Sequence, residues 1–264
     1  MHSSDMFVLV LRREDLAPRS TWVAPQRVVF LHGWLQDHTC WLGLAHSLRE
    51  RYGFDCCLLD WPAHGRSPTP ASPVSLTPSV LVEALRSVLE RLGWTDAPLA
   101  LCGCSLGGAM ALRYTTRFGG VERLVLVAPA GFEEPAYMLS WWGSALLPRL
   151  VAGGVAPPGV TAKMQIASTT PRYGVEPDWF NTAAARKVHH TLVVCGRFDW
   201  LHRAHLWTGC RRDDPTFRLR LLPLSHAMIC SMISHLGLED DVTVWTQADT
   251  KDREREPKTL RSSL

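Results

Sequence analysis

The chain has 264 residues, 46% of them hydrophobic and 20% charged, and its 28 basic and 25 acidic side chains leave a formal net charge of +3. That is enough ordinary globular sequence for one large α/β-type domain or two small ones, and it excludes collagen, coiled coil, a disulfide-knotted miniprotein and a disordered chain. The charge is too balanced to mark a nucleic-acid groove, so no nucleic-acid partner is expected.

From the amino end, Met1-His2-Ser3-Ser4-Asp5 has no basic n-region, and the apolar stretch Met6 to Leu11 is too short for a secretory core. Short apolar, β-branched runs then recur at Phe7 to Leu11, Arg27 to Leu31, Phe54 to Leu59, Leu99 to Gly103, Arg123 to Ala128, Thr191 to Cys195 and Phe217 to Leu222. Most are continuous rather than alternating, as strands buried on both faces are. Helix-period segments follow the second, third and fourth of them: Trp41 to Arg51, Thr77 to Leu92 and Gly107 to Phe118. Leu81, Leu85, Val88, Leu89 and Leu92 form one apolar helix face, with Thr77 as N-cap and Gly93 as stop. Strands alternating with helices predict an α/β fold, a mostly parallel central sheet flanked by helices.

The interval from Gly131 to His190 breaks the alternation. It holds Gly153-Gly154, Pro157-Pro158-Gly159 and the pair Trp141-Trp142, and it is long for a connection, so it is expected to have structure of its own. Residues 249–264 carry a mixed-charge run, Lys251 to Lys258, and read as a disordered, solvated tail. No run reaches the ~20 apolar residues of a membrane span. Cys56, Cys57, Cys102, Cys104 and Cys195 lie in strand-like runs where thiols act as small hydrophobes, and C-x-x-C is absent. A reducing, cytoplasmic setting is expected. The final Ser262-Ser263-Leu264 suggests the peroxisomal alternative, although its middle position departs from Ser-Lys-Leu.

Four motifs carry chemistry. Gly103-Cys104-Ser105-Leu106-Gly107, between a strand and a helix, is a G-x-S-x-G nucleophile elbow. Its glycines let neighbouring chains approach a strained serine, and the helix start offers the Leu106 N–H to a developing oxyanion. His32-Gly33-Trp34 closes an earlier strand and directs the Trp34 N–H to the same place, with His32 read as structural. Asp199, on the loop after Thr191 to Cys195, is the expected orienter of an imidazole, and Asp213 is the fallback. His226 follows the last strand. The order Ser105, Asp199, His226 is that of the elbow-type triad.

With these residues the chain resembles the α/β-hydrolase superfamily from about Arg27 to His235. Asp60-Trp61-Pro62-Ala63-His64-Gly65-Arg66-Ser67 resembles that family's D-x-P-x-x-G-x-S turn, with Asp60 and Gly65 in structural roles. The resemblance implies a core of residues 1–131 and 191–248, with a small helical cap over the site, 132–190, inserted before the penultimate strand. The family core commonly has one strand more than the seven runs counted, so a short edge strand is either missing here or unrecognised among the runs.

Serine at position 105 disfavours the dehalogenase and epoxide-hydrolase branches, which use aspartate there. His32-Gly33-Trp34-Leu35 differs from the iminopeptidase turn, and Cys104 and Ala227 depart from the C–C hydrolase pattern. What remains is an esterase or lipase of the monoacylglycerol-lipase or carboxylesterase type acting on a small acyl ester through an acyl-enzyme. The alternatives are an acyl thioesterase on the same triad and a non-catalytic ligand-sensing or partner-docking protein. The uncharged stretch with Tyr137, Met138, Trp141 and Trp142 is a candidate pocket lining, and it allows transient membrane contact. No cofactor is implied. No metal site is expected either, since His189-His190 and His202-x-x-His205 lack acidic or cysteine partners at ligand spacing. A neutral histidine base predicts a rate rising with pH through about 6 to 7.

Overall fold

The computed structural model describes residues 6–15, 27–70, 76–97, 99–130, 159–160, 162–163, 166, 187–199 and 216–239. Among them seven strands form one sheet: β1 (Val8–Leu11), β2 (Arg27–Leu31), β3 (Asp55–Leu59), β4 (Leu99–Cys104), β5 (Val121–Val127), β6 (His190–Gly196) and β7 (Phe217–Leu222), in the order β1-β3-β2-β4-β5-β6-β7. Only β1 runs antiparallel to its neighbour; every other pairing is parallel. Each parallel pairing requires a crossover. Three of these carry α1 (Leu42–Tyr52), α2 (Pro78–Arg91) and α3 (Leu106–Phe118).

Side chains alternate across each strand, and the two resulting faces bury separate cores. On one face Val29, Leu31, Cys57 and Leu59 pack in a cluster with Leu81, Leu85, Val88 and Leu89 of α2 and Met110 of α3. On the other, Val28, Phe30, Cys56 and Leu58 join Trp41 and Leu44, Ala45 and Leu48 of α1. The apolar stripe expected on α2 is therefore its buried face, with Leu92 packed partly buried at its edge. Thr77 caps that helix by accepting the Val80 N–H at 3.4 Å. At its other end Gly93 N–H reaches Glu90 O and Trp94 N–H reaches Leu89 O, the paired bonds of a Schellman stop.

Strand limits differ from expectation in small ways. β4 runs on to Cys104, β5 starts at Val121 rather than Arg123, and α3 begins at Leu106. β7 is last in the order of the described strands, and its residues are partly exposed rather than buried on both faces. Of the 132–190 interval only a few residues are described before β6. Among these, Ala162 and Ile166 are buried in the α2–α3 cluster. The rest of that interval and the expected tail, 249–264, lie outside the described residues. Among the described residues no helix is long and apolar enough to cross a membrane.

The pairing register decides where chemistry can happen. Leu31 pairs with Gly103, Cys104 with Val127, Val127 with Val194, and Gly196 with Leu222. The carboxyl ends of β2, β4, β5, β6 and β7 thus finish side by side, the end at which parallel α/β sheets bind ligands.

Candidate active site

Between β4 and α3 the chain turns on Ser105, at φ 48° and ψ −112°. Left-handed backbone is unusual for a residue with a Cβ and stores strain. Several bonds hold it: Ser105 N–H donates to Val127 O at 2.9 Å, and its own carbonyl accepts Ala109 N–H at 3.2 Å and Ala130 N–H at 3.0 Å. The turn is too tight for side chains on either flank. A Cβ at Gly103 would lie 2.5 Å from Gly107 O, and one at Gly107 would run into the Leu31 carbonyl. These contacts are why glycine stands two positions to each side of the serine.

β7 leads to a short helix, α4 (His226–Ser231), so His226 sits in its first turn rather than on a loop. His226 Nε2 lies 3.1 Å from Ser105 Oγ, and the Nδ1–H donates to Asp199 Oδ2 at 2.8 Å. Asp199 is buried beyond the end of β6, where Phe198 N–H donates to Leu224 O at 3.2 Å and so joins the loop carrying the carboxyl to the loop before His226. The structure therefore brings together the hydroxyl, imidazole and carboxyl that the sequence separates by up to 121 residues. Burial works against charge on His226. The hydrogen bond to Asp199 and the neighbouring Cys230 sulfur outweigh it and raise the pKa from 6.5 to about 9. The ring is thus neutral only at higher pH than an ordinary imidazole.

The turn after β2 lies against the serine through the Leu31–Gly103 register. His32 is fully buried; its Nε2 accepts Trp61 N–H at 3.0 Å, which leaves Nδ1–H to donate to Gly33 O at 2.7 Å. Burial lowers its pKa to about 4, and it stays neutral. Gln36 N–H also donates to Gly33 O, at 3.2 Å. Because a trans peptide points its C=O and N–H in opposite directions, fixing the Gly33 carbonyl fixes the aim of the Trp34 N–H. Leu106, at the first position of α3, has an N–H with no acceptor inside its helix. The Trp34 indole donates to Lys163 O at 2.9 Å, so a described piece of the 132–190 interval rests on this turn.

Gln36 has no counterpart in the sequence reading. Its Oε1 accepts Gly33 N–H at 2.8 Å and its Nε2 donates to Cys230 O at 2.6 Å, which ties the turn after β2 to the helix carrying His226. The partners lie 194 positions apart, and nothing in local spacing announces them. Asp60 has a similar linking role. Its carboxyl oxygens accept His38 N–H at 2.6 Å and Arg66 N–H at 2.8 Å, and His38 Nδ1 sits 2.9 Å away, so it braces the turns after β2 and β3. Asp213, Tyr137, Met138, Trp141 and Trp142 lie outside the described residues. A separate cleft lined by Thr95, Arg117, Gly119, Glu122, Lys187 and His189 opens at the opposite, amino-terminal end of the strands, remote from Ser105.

The sequence model of a family described as alpha/beta hydrolase fold matches residues 26–162. The chain belongs to the α/β-hydrolase fold family. Among curated proteins this hydrolase-fold chain is similar to the AB hydrolase superfamily protein YisY of Bacillus subtilis, 32% identical over 115 residues. That match covers 42% of this chain and 41% of the relative, less than half of either. Among solved structures it is similar to a thermophilic esterase from Thermogutta terrifontis, with TM-score 0.68, 16% identity and coverage of 92% of this chain and 93% of that one. A bromoperoxidase from Bacillus anthracis aligns with TM-score 0.64 and 14% identity over 92% of this chain and 95% of that one. At such identities these likenesses establish the α/β-hydrolase fold alone.

Proposed function

We propose that the chain is a serine hydrolase that cleaves carboxylic esters through an acyl-enzyme. The observation that carries this is the unbroken relay from Ser105 Oγ through His226 to Asp199, at 3.1 and 2.8 Å, on a strained elbow. Neutral His226 Nε2 takes the hydroxyl proton as Ser105 Oγ attacks the ester carbonyl, and Asp199 holds the proton on Nδ1 and balances the imidazolium. The Trp34 and Leu106 N–H groups receive the oxyanion. The tetrahedral adduct collapses when His226 protonates the departing alcohol, and a water activated by the same nitrogen then frees the acid. Each oxyanion donor is worth roughly 10²- to 10³-fold in kcat.

Acyl, lipid-like esters suit the surroundings. Leu35 follows the oxyanion turn, Phe198 precedes Asp199 and Met228 follows His226, and these side chains are exposed by 62%, 66% and 49%. Such surface near a site favours an apolar ligand. The test is kcat/KM across p-nitrophenyl esters and acyl-CoA thioesters of increasing chain length, with a fluorophosphonate probe alongside. Ser105→Ala is expected to lower turnover by about 10⁴-fold or more and to abolish labelling. Labelling that survives the substitution assigns the nucleophile elsewhere, and thioester preference would make the acyl thioesterase the better reading.

A further inference from the structure

Directly behind the relay, Cys104 Sγ and Cys230 Sγ lie 3.1 Å apart. Cys104 precedes Ser105 at the end of β4; Cys230 lies one helical turn after His226, on the same face of α4. The two sulfurs are closer than van der Waals contact between sulfurs, and a closing movement of about 1 Å reaches bond length. Cys104 is fully buried, whereas Cys230 is 9% exposed and its sulfur also lies 3.7 Å from His226 Nε2, the atom facing Ser105 Oγ. A small reagent that enters the site therefore meets Cys230 first. Ester hydrolysis uses neither sulfur.

We infer that Cys104 and Cys230 are a redox-active pair that hydrogen peroxide closes to a disulfide and a dithiol reopens, joining the strand that carries Ser105 to the helix that carries His226. The two thiols are unequal. The S–H of Cys104 donates to Cys230, and with His226 it holds the Cys230 thiol below the ordinary thiol range, while burial and the Cys230 sulfur push Cys104 up. Cys230 is thus the attacking sulfur and Cys104 the resolving one. The Cys230 thiolate displaces hydroxide from the peroxide: an S–O bond forms, the O–O bond breaks, and two electrons pass from sulfur to oxygen. Protonation turns the released hydroxide into water. Cys104 then attacks the sulfenic sulfur; the S–S bond forms, the S–O bond breaks, and the Cys104 proton leaves with the hydroxyl as a second water. Cys40 also lies near enough to influence both thiols, but burial raises its own pKa and makes it the poorer nucleophile.

The full-length chain is treated with hydrogen peroxide, alkylated without reductant, digested and mapped by mass. The expected product is a peptide pair joined through Cys104 and Cys230, lighter by two hydrogens and lost on reduction. In Cys104→Ser the Cys230 sulfenic acid has no resolving partner, so trapping with dimedone is expected to label Cys230 there and hardly at all in the native chain. The crosslink closes a span of 126 residues, so the oxidised chain is also expected to unfold at higher temperature than the reduced one. Free, alkylated Cys104 and Cys230 after other cysteines have oxidised overturns the inference. So does a Cys40–Cys230 crosslink, or overoxidation of Cys230 beside a free Cys104. Mass, not turnover, reads the result, so failure of the esterase proposal leaves this test intact.

Discussion

Two groups contend for one nitrogen. His226 Nε2 faces Ser105 Oγ at 3.1 Å and Cys230 Sγ at 3.7 Å, while Asp199 holds the opposite side of the ring. Charge on the ring suits Asp199 and the Cys230 sulfur, which is why its pKa rises to about 9 despite burial. Only the neutral ring can take the serine proton, so kcat/KM for a non-ionising ester is expected to climb tenfold per pH unit and level off near 9. Replacing Cys230 by serine removes one anionic neighbour and leaves Asp199 in place. The inflection is then expected to move to lower pH while Ser105 remains the labelled residue. An unmoved inflection in Cys230→Ser assigns the shift to Asp199 alone. Asp199→Asn provides the complementary test: it leaves the wrong tautomer facing the serine and is expected to cost about 10⁴-fold in kcat. Ser105, Asp199 and His226 were legible in sequence because each sits beside a strand end with its own local signature. Cys230 was not, since its significance arises from a sulfur 126 positions away.

At the level of elements, the turn after β2 is fastened from several directions. Gln36 spans Gly33 N–H and the Cys230 carbonyl, and His32 grips the Gly33 carbonyl from within the core. Gln36→Ala removes the tie to α4 and leaves the His32 bond. The Gly33 N–H loses its acceptor, while the Gly33 carbonyl keeps its bonds to His32 and the residue-36 backbone. The Trp34 N–H therefore keeps its direction but is expected to be held less firmly, an effect felt mainly in the transition state, where the oxyanion is fully formed. Steady-state kinetics are expected to show kcat reduced about 10- to 100-fold with KM little changed, and Gln36→Glu is expected to recover less than half of that loss because it lacks the amide donor. A change confined to KM assigns Gln36 to substrate binding instead. Strands and crossover helices were readable because period and caps are local: Thr77 and Gly93 bracket α2 as expected. The start of β5 was less so. Gly119 and Gly120 precede Val121, and the half-buried, charged Glu122 interrupts the apolar run from which a strand start is read.

The whole molecule separates support from chemistry. One sheet divides two cores, and the candidate site occupies only the carboxyl ends of its strands. This arrangement followed from continuous apolar runs alternating with helix-period segments, whereas neighbour order within the sheet, β1-β3-β2-β4, comes from long-range pairing that no local pattern encodes. Substitutions deep in either core are therefore expected to change stability with little effect on the reaction. Phe30, fully buried with its ring centroid 5.4 Å from that of Trp41, packs on one side of the sheet, and Leu85 of α2 packs on the other. Phe30→Ala is expected to destabilise by about 3 to 5 kcal/mol and Leu85→Ala by about 2 to 5 kcal/mol, through lost transfer energy and the cavity left behind. Because the two side chains belong to separate clusters, the losses are expected to add to within about 0.5 kcal/mol in the double variant, as read from denaturant midpoints at constant slope. Coupling well beyond that would mean the sheet transmits packing strain from face to face. In that case the elbow at Ser105, which is part of the same sheet, would feel core substitutions as well.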